Sequence, residues 1–172
     1  MRASLEEILQ KEKIMVIDGS MSTALEVLGA NLSNTLWTAS VLRDQPELVR
    51  QVRYDYLKAG ADCGITCSYQ GTIPGLLKAG CSKEEAEELI TRSVTLFKEA
   101  RDQWWNEEGK DSGRPYPLCL AGIGPYGAYA FSYMTAGANA AGGCCTTTCT
   151  HIEQVTEARK RYLLSGNPKR IR

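Results

Sequence analysis

Gly142-Gly143-Cys144-Cys145 sets two thiols side by side directly behind two glycines. Glycine lets the backbone bend tightly, so both sulfurs can point into one space, and a pair of thiolates is a soft donor set that suits zinc. Two adjacent cysteines can equally be buried reduced thiols. Cys149 and the sole histidine, His151, follow closely, but Cys-Cys-x₃-Cys-x-His lacks the separated ligand pairs of structural zinc motifs, and His151 is expected to face solvent. A second constellation is Asp18-Gly19-Ser20-Met21. Asp18 can offer a carboxylate to an ammonium group or cap the helix that follows, and the amides of Gly19, Ser20 and Met21 at that helix start suit an anion. A third is Thr66, Ser68, Tyr69 and Gln70, small polar and amide side chains behind an apolar run. Trp37, Tyr69 and Tyr126 are aromatics able to face a cation, or simply to pack.

The elements that must position these groups follow from periodicity. Ser4 and Glu7 read as a capping box opening a short helix. Ile14 to Ile17 is an apolar run of buried-strand type, stopped by Asp18-Gly19-Ser20 and followed by helical spacing from Met21 to Leu28. Asn31 to Thr38 reads as a loop. Pro46 suits the first turn of a helix to about Lys58, ended by Gly60. Ala61 to Cys67 is a second buried strand, and Ile73 to Lys78 a short helix. Ser82 and Glu85 form another capping box before a long helical pattern reaching Trp104 and Trp105. Glu107 to Pro117 is a polar loop, and Leu118 to Ala121 a third strand. Phe131 to Thr135 reads as the tail of a helix, Gly137 to Ala141 as a short strand, and Thr150 as the cap of a last helix to about Leu164. Apolar strands alternating with helices, each strand ending in Gly, Ser or Asp, indicate an α/β fold of parallel βα units with the functional edge at the strand C-termini.

With 172 residues, 43% hydrophobic and 23% charged, and 20 residues of each charge sign, the chain has the composition of one soluble globular domain. It carries no basic field of the kind nucleic acid requires, and no apolar run long enough for a membrane span. The basic tail, 165–172, reads as a solvated end. Seven cysteines, without a secretory signal ahead of them, argue for reduced thiols and a cytoplasmic location. Gly122-x-Gly124-x-x-Gly127 matches a dinucleotide-binding pattern. Pro125 removes a donor there, and no acidic residue stands about 20 positions on, so a dinucleotide-binding protein is the weaker alternative.

Gly142-Gly143-Cys144-Cys145-Thr146-Thr147 resembles the GGCC signature of homocysteine S-methyltransferases, and Asp18-Gly19-Ser20-Met21-Ser22-Thr23 with Leu25-Glu26 resembles their opening segment. Leu36-Trp37-Thr38-Ala39, Tyr56-Leu57-Lys58-Ala59-Gly60-Ala61, Ile65-Thr66-Cys67-Ser68-Tyr69-Gln70 and Gly124-Pro125-Tyr126-Gly127-Ala128-Tyr129 look like the S-methylmethionine-using branch. The resemblance runs from about Ile14 to Tyr129 and again from about Phe131 to Tyr162. It implies a (β/α)₈ TIM-barrel family, but a complete barrel needs roughly 250 residues. The family's G-(I/V)-N-C motif, which supplies a third zinc cysteine, and its E-T-x-P segment, which holds the substrate amino group, are both missing from this sequence. The resemblance therefore implies a single domain built as a partial barrel of strands one to three and eight, with 1–129 as N-terminal βα units and 131–164 as the last unit. Barrel closure would order these strands eight, one, two, three.

The implied chemistry is methyl transfer from S-methylmethionine or S-adenosylmethionine to a zinc-bound homocysteine thiolate, giving methionine. Cys144 and Cys145 would hold Zn²⁺, with Cys67 a conceivable substitute for the third ligand. Asp18, Gly19, Ser20, Met21, Thr66, Ser68, Tyr69, Gln70, Trp37 and Tyr126 would line the substrate site. Two missing elements imply impaired activity, and the alternative is a catalytically inactive barrel fragment acting through self-association. A half-barrel with open edges points to a homodimer.

Overall fold

The computed structural model describes residues 4–69, 71–122, 130–138, 140–142 and 149–165. Eight α-helices are described: α1 Leu5–Glu12, α2 Met21–Val27, α3 Thr38–Asp44, α4 Pro46–Ala59, α5 Ile73–Lys78, α6 Lys83–Glu107, α7 Ala130–Ala136 and α8 Cys149–Leu164. The strands are β1 Cys63–Ile65, β2 Leu118–Gly122 and β3 Ala140–Gly142, with one 3₁₀ turn at Gly109–Asp111. They form a parallel sheet in the order β1-β2-β3, with Cys63 opposite Leu118 and Leu120 opposite Ala140.

Four expectations need correction. The run Ile14 to Ile17 forms no full strand: Ile17 bridges Cys63 in parallel, and the Val16 carbonyl accepts from the Asp62 amide at 2.8 Å. The Asp62 carboxylate takes the Val16 amide at 2.8 Å, so a side chain stands where a ladder bond would be. The sequence of the sheet is also different from barrel closure. The first run pairs with β1, while the last strand, β3, pairs with β2. The eight, one, two, three order is therefore not adopted, because β3 closes onto the free edge of β2. Finally, Thr150 lies inside α8, which begins at Cys149, and α3 occupies sequence read as the end of a loop and beyond.

Local chemistry explains most boundaries. Ser82 and Glu85 make the reciprocal capping box, with bonds of 3.1 Å and 2.6 Å. Pro46 sits in the first turn of α4, and Gly60 ends it at φ 121°, a conformation a Cβ would oppose. The main core lies between the sheet and the helices, where Leu57 of α4, Phe97 and Trp104 of α6 and Cys119 of β2 are fully enclosed. Among the described residues the other sheet face is covered at one end, where Ile8 of α1 meets Cys63, Leu118 and Tyr116. Higher on the same edge Ile17 and Ile65 remain 51% and 39% exposed. No helix of the described residues is long and apolar enough to cross a membrane.

Candidate functional site

Parallel strands bring their C-terminal ends to one edge, and there the structure gathers Asp18, the residues after β1 and the end of β2. The Asp18 amide donates to the Cys63 carbonyl at 3.1 Å, which carries the chain past β1. Its carboxylate then receives the Ile65 amide at 3.2 Å on each oxygen. The carboxylate turns toward the helix layer, where Oδ2 pairs with Arg53 Nη1 of α4. Both side chains are almost fully enclosed, at 2% and 3% exposure. Burial pushes the Asp18 carboxyl above its ordinary value, and the Arg53 charge and the Ile65 amide pull it back down.

Gly64 makes this arrangement possible. A Cβ at Gly64 would lie 2.3 Å from Phe97 Cε2 and 3.1 Å from Asp18 Oδ2. Gly64→Ala is expected to destabilise the fold by about 1–3 kcal/mol through overpacking. Thermal melting checks this, at about 2–4 °C per kcal/mol for a chain of this size. An unchanged melting temperature would mean that Phe97 yields freely.

Asp18 does not cap the following helix. Ser20 does, accepting the Thr23 amide at 3.3 Å. The Ser20 carbonyl takes the Tyr56 hydroxyl at 2.9 Å, and a Cβ at Gly19 would sit 2.9 Å from that same oxygen. The amides of Gly19, Ser20 and Met21 have no acceptor among the described residues.

Behind β1, Thr66 and Ser68 share a hydroxyl contact at 2.8 Å. Thr66 Oγ1 accepts the Gly122 amide at 3.0 Å, and Ser68 donates to the Gly122 carbonyl at 2.9 Å. These two residues thus knit β1 to β2, and both are buried. Tyr133 of α7 reaches the same network. Burial raises its pKa to about 12, an effect the nearby Ser68 hydroxyl opposes to a lesser degree. Tyr69 is half-buried beside them. Trp37 is 37% exposed and holds φ 50°, a strained conformation for a bulky side chain. The turn that imposes it is tied by the Trp37 amide donating to Asn34 Oδ1 at 2.9 Å. Gln70, Tyr126, Cys144 and Cys145 lie outside the described residues.

Among the described residues no group of three His, Cys, Asp or Glu side chains can hold a metal ion. Cys67 does not fit the third-ligand role. It is buried, donates to the Thr38 carbonyl at 3.6 Å, and desolvation raises its pKa, all of which favour the inert thiol. Cys63 and Cys119 are buried as well, each with a pKa near 11 for the same reason. Two partners were not anticipated from sequence, Arg53 and Tyr133. Arg53 had a readable signal, since it falls with Val49 and Leu57 on one helical stripe, and a charge on a buried stripe calls for a buried counter-charge.

Comparison with known proteins shows the family and the fold. The family model described as homocysteine S-methyltransferase matches residues 15–135. Homocysteine S-methyltransferase YbgG of Bacillus subtilis is 48% identical over 125 residues, covering 73% of this chain and 40% of that protein. Homocysteine S-methyltransferase 1 of Arabidopsis thaliana is 47% identical over 130 residues, covering 74% of this chain and 40% of that protein. The crystal structure of the homocysteine methyltransferase MmuM from Escherichia coli in its metallated form superposes with a TM-score of 0.81 at 34% identity, covering 92% of this chain and 63% of that one. The chain thus spans about 40% of the length of these curated relatives. With the family model spanning Asp18, β1, β2 and the polar knot that joins them, the chain belongs to the homocysteine S-methyltransferase family.

Proposed function

We propose that this chain binds homocysteine and transfers a methyl group to its sulfur from S-methylmethionine or S-adenosylmethionine, giving methionine, at a rate lowered by its missing barrel middle. The observation that carries this reading is the convergence of Asp18, Thr66 and Ser68 at the C-terminal edge of a parallel sheet, the edge where barrel enzymes build their sites. Asp18 supplies the carboxylate for the α-ammonium group, and the unclaimed amides of Gly19, Ser20 and Met21 suit the α-carboxylate. Thr66, Ser68, Tyr69 and Gln70 form part of the wall, and Trp37, Tyr69 and Tyr126 offer ring faces to the donor's sulfonium.

In the transfer, a carbon–sulfur bond forms on homocysteine as the donor's methyl–sulfonium bond breaks. The electron pair stays on the donor sulfur, which becomes a neutral thioether, and the thiol proton goes to solvent. Cys144 and Cys145 are the residues that would hold zinc, a metal that favours the thiolate form of a bound thiol. Two thiolates match zinc in kind and fall short of the three protein ligands of a catalytic site. The architecture we propose is a partial barrel of strands one to three and eight, working in the cytoplasm without nucleic acid or membrane. The exposed edge at Ile14, Val16 and Ile17 favours a second reading, a fragment that acts through self-association.

Incubating the zinc-supplemented chain with L-homocysteine and S-methylmethionine and quantifying methionine by mass spectrometry tests the proposal. Methionine is expected at a rate at least about 100-fold below that of a full-length relative, the scale of effect when ligand-supporting groups are lost. A rate equal to the relative's would refute the impairment. No methionine above background, together with no homocysteine binding, would refute the activity.

A further inference from the structure

We propose that Arg53 is the positioning residue of the Asp18 anchor: from α4 it fixes the carboxylate beside the C-terminal end of β1, where the substrate's α-ammonium is to be received. This rests on the reading of Asp18 as that anchor. The geometry comes first. Arg53 reaches through the helix layer to Oδ2, while the Ile65 amide spans both oxygens at 3.2 Å, so the plane of the carboxylate is set from two sides. Oδ1 receives only the Ile65 amide among the described residues, and a carboxylate oxygen can accept two hydrogen bonds. One acceptor site on Oδ1 is therefore in hand for an ammonium donor. Gly64 contributes by its missing side chain, since a Cβ there would crowd Oδ2.

A carboxylate this enclosed favours its neutral form, and a neutral acid would lose most of its attraction for an ammonium group. The groups facing Asp18 are Arg53 on α4, the Cys63 thiol of β1 and the Cys119 thiol of β2. Both thiols titrate near 11 and stay neutral from pH 4 to 8, so the balancing charge among the described residues is that of Arg53. Guanidinium stays charged at any working pH.

The test follows the carboxyl directly. Asp18 is titrated by carbon NMR of carboxyl-labelled aspartate in the wild type, Arg53→Gln and Arg53→Lys, with melting curves to verify folding. L-Methionine, which carries the same ammonium end and no thiol, serves as the binding probe over the same pH range. Arg53→Gln is expected to raise the Asp18 midpoint by about 1–3 units. Its methionine affinity should fall at least about tenfold near pH 6, with recovery as pH rises, and Arg53→Lys should restore most of both. An unmoved midpoint in folded Arg53→Gln, or equal affinity with an unchanged pH profile, would overturn the inference. Should Arg53→Gln not fold, Arg53→Lys decides: affinity kept with a low midpoint supports the charge role, whereas affinity lost with the midpoint unmoved overturns it. A moved midpoint with no methionine or homocysteine binding in the wild type would instead overturn Asp18 as the anchor, leaving the pair a structural one.

Discussion

Replacing Cys144 and Cys145 together by serine is expected to abolish zinc retention: the wild-type chain should hold up to one ion at pH 8 and release it to a mild chelator, and the double variant should hold none. The magnitude follows from ligand chemistry. Zinc takes up a thiolate because a cysteine near pKa 8.5 deprotonates readily, whereas a serine hydroxyl does not. Structural zinc sites with four ligands bind with apparent energies of about 10–16 kcal/mol, and a site with two protein thiolates retains only part of that. The buried cysteines of the sheet and its loops offer no replacement. Cys63, Cys67 and Cys119 are all buried with raised pKa values, and Cys67 is committed to the Thr38 carbonyl. Metal analysis after chelation and desalting reads the result. Full zinc in the double variant would sink the assignment and direct attention to Cys149 and His151.

How far the sequence disclosed this molecule depended on whether a signal was local. Ser82 with Glu85, Pro46 and Gly60 announce their helix ends because the stabilising contact lies within a few residues, and each boundary falls where those residues place it. The Ile14 to Ile17 run misled because strand character is not a property of the run alone. A ladder needs a partner in register, and here the Asp62 side chain occupies the Val16 amide. Strand order was further from view still. The resemblance carries the closure of an eight-stranded barrel, but with the middle strands missing β2 presents an open edge, and β3 pairs there. At the site, residue types pointed to Asp18, Thr66 and Ser68. They could not reveal that Thr66 and Ser68 spend their hydroxyls on Gly122, nor that the buried Tyr133 of a distant helix lies beside Ser68, because those contacts span long stretches of chain.

That open architecture leads to the second large effect, self-association. The sheet ends on one side at the Ile14 to Ile17 segment, where Ile14 is 76% exposed and Val16 and Ile17 are each 51% exposed. On its other side β3 has no further strand among the described residues. Ile65 adds an apolar side chain to the uncovered upper part of the inner face. Fully burying an exposed large aliphatic side chain yields roughly 1.5–3 kcal/mol, and these four are about half exposed on average, so covering them on each of two copies yields gross stabilisation on the order of 6–13 kcal/mol. Association costs about 4–15 kcal/mol in lost freedom, so these side chains offset much of that cost and pairing of the open strand edges supplies the rest of the stability a micromolar dimer needs. A second copy fits better than an unrelated partner because two four-strand paths can together close an eight-stranded sheet, which removes every edge at once. Light scattering at micromolar concentration is expected to return twice the chain mass, or larger aggregates. Ile14→Lys, a change at a side chain that packs against little, is expected to shift the population toward monomer without lowering the melting temperature of the chain itself. A monodisperse wild-type monomer that unfolds cooperatively would refute the dimer, and would mean that this edge is already protected by its own flanking charges, Lys11 and Lys13, in the way short natural edge strands are.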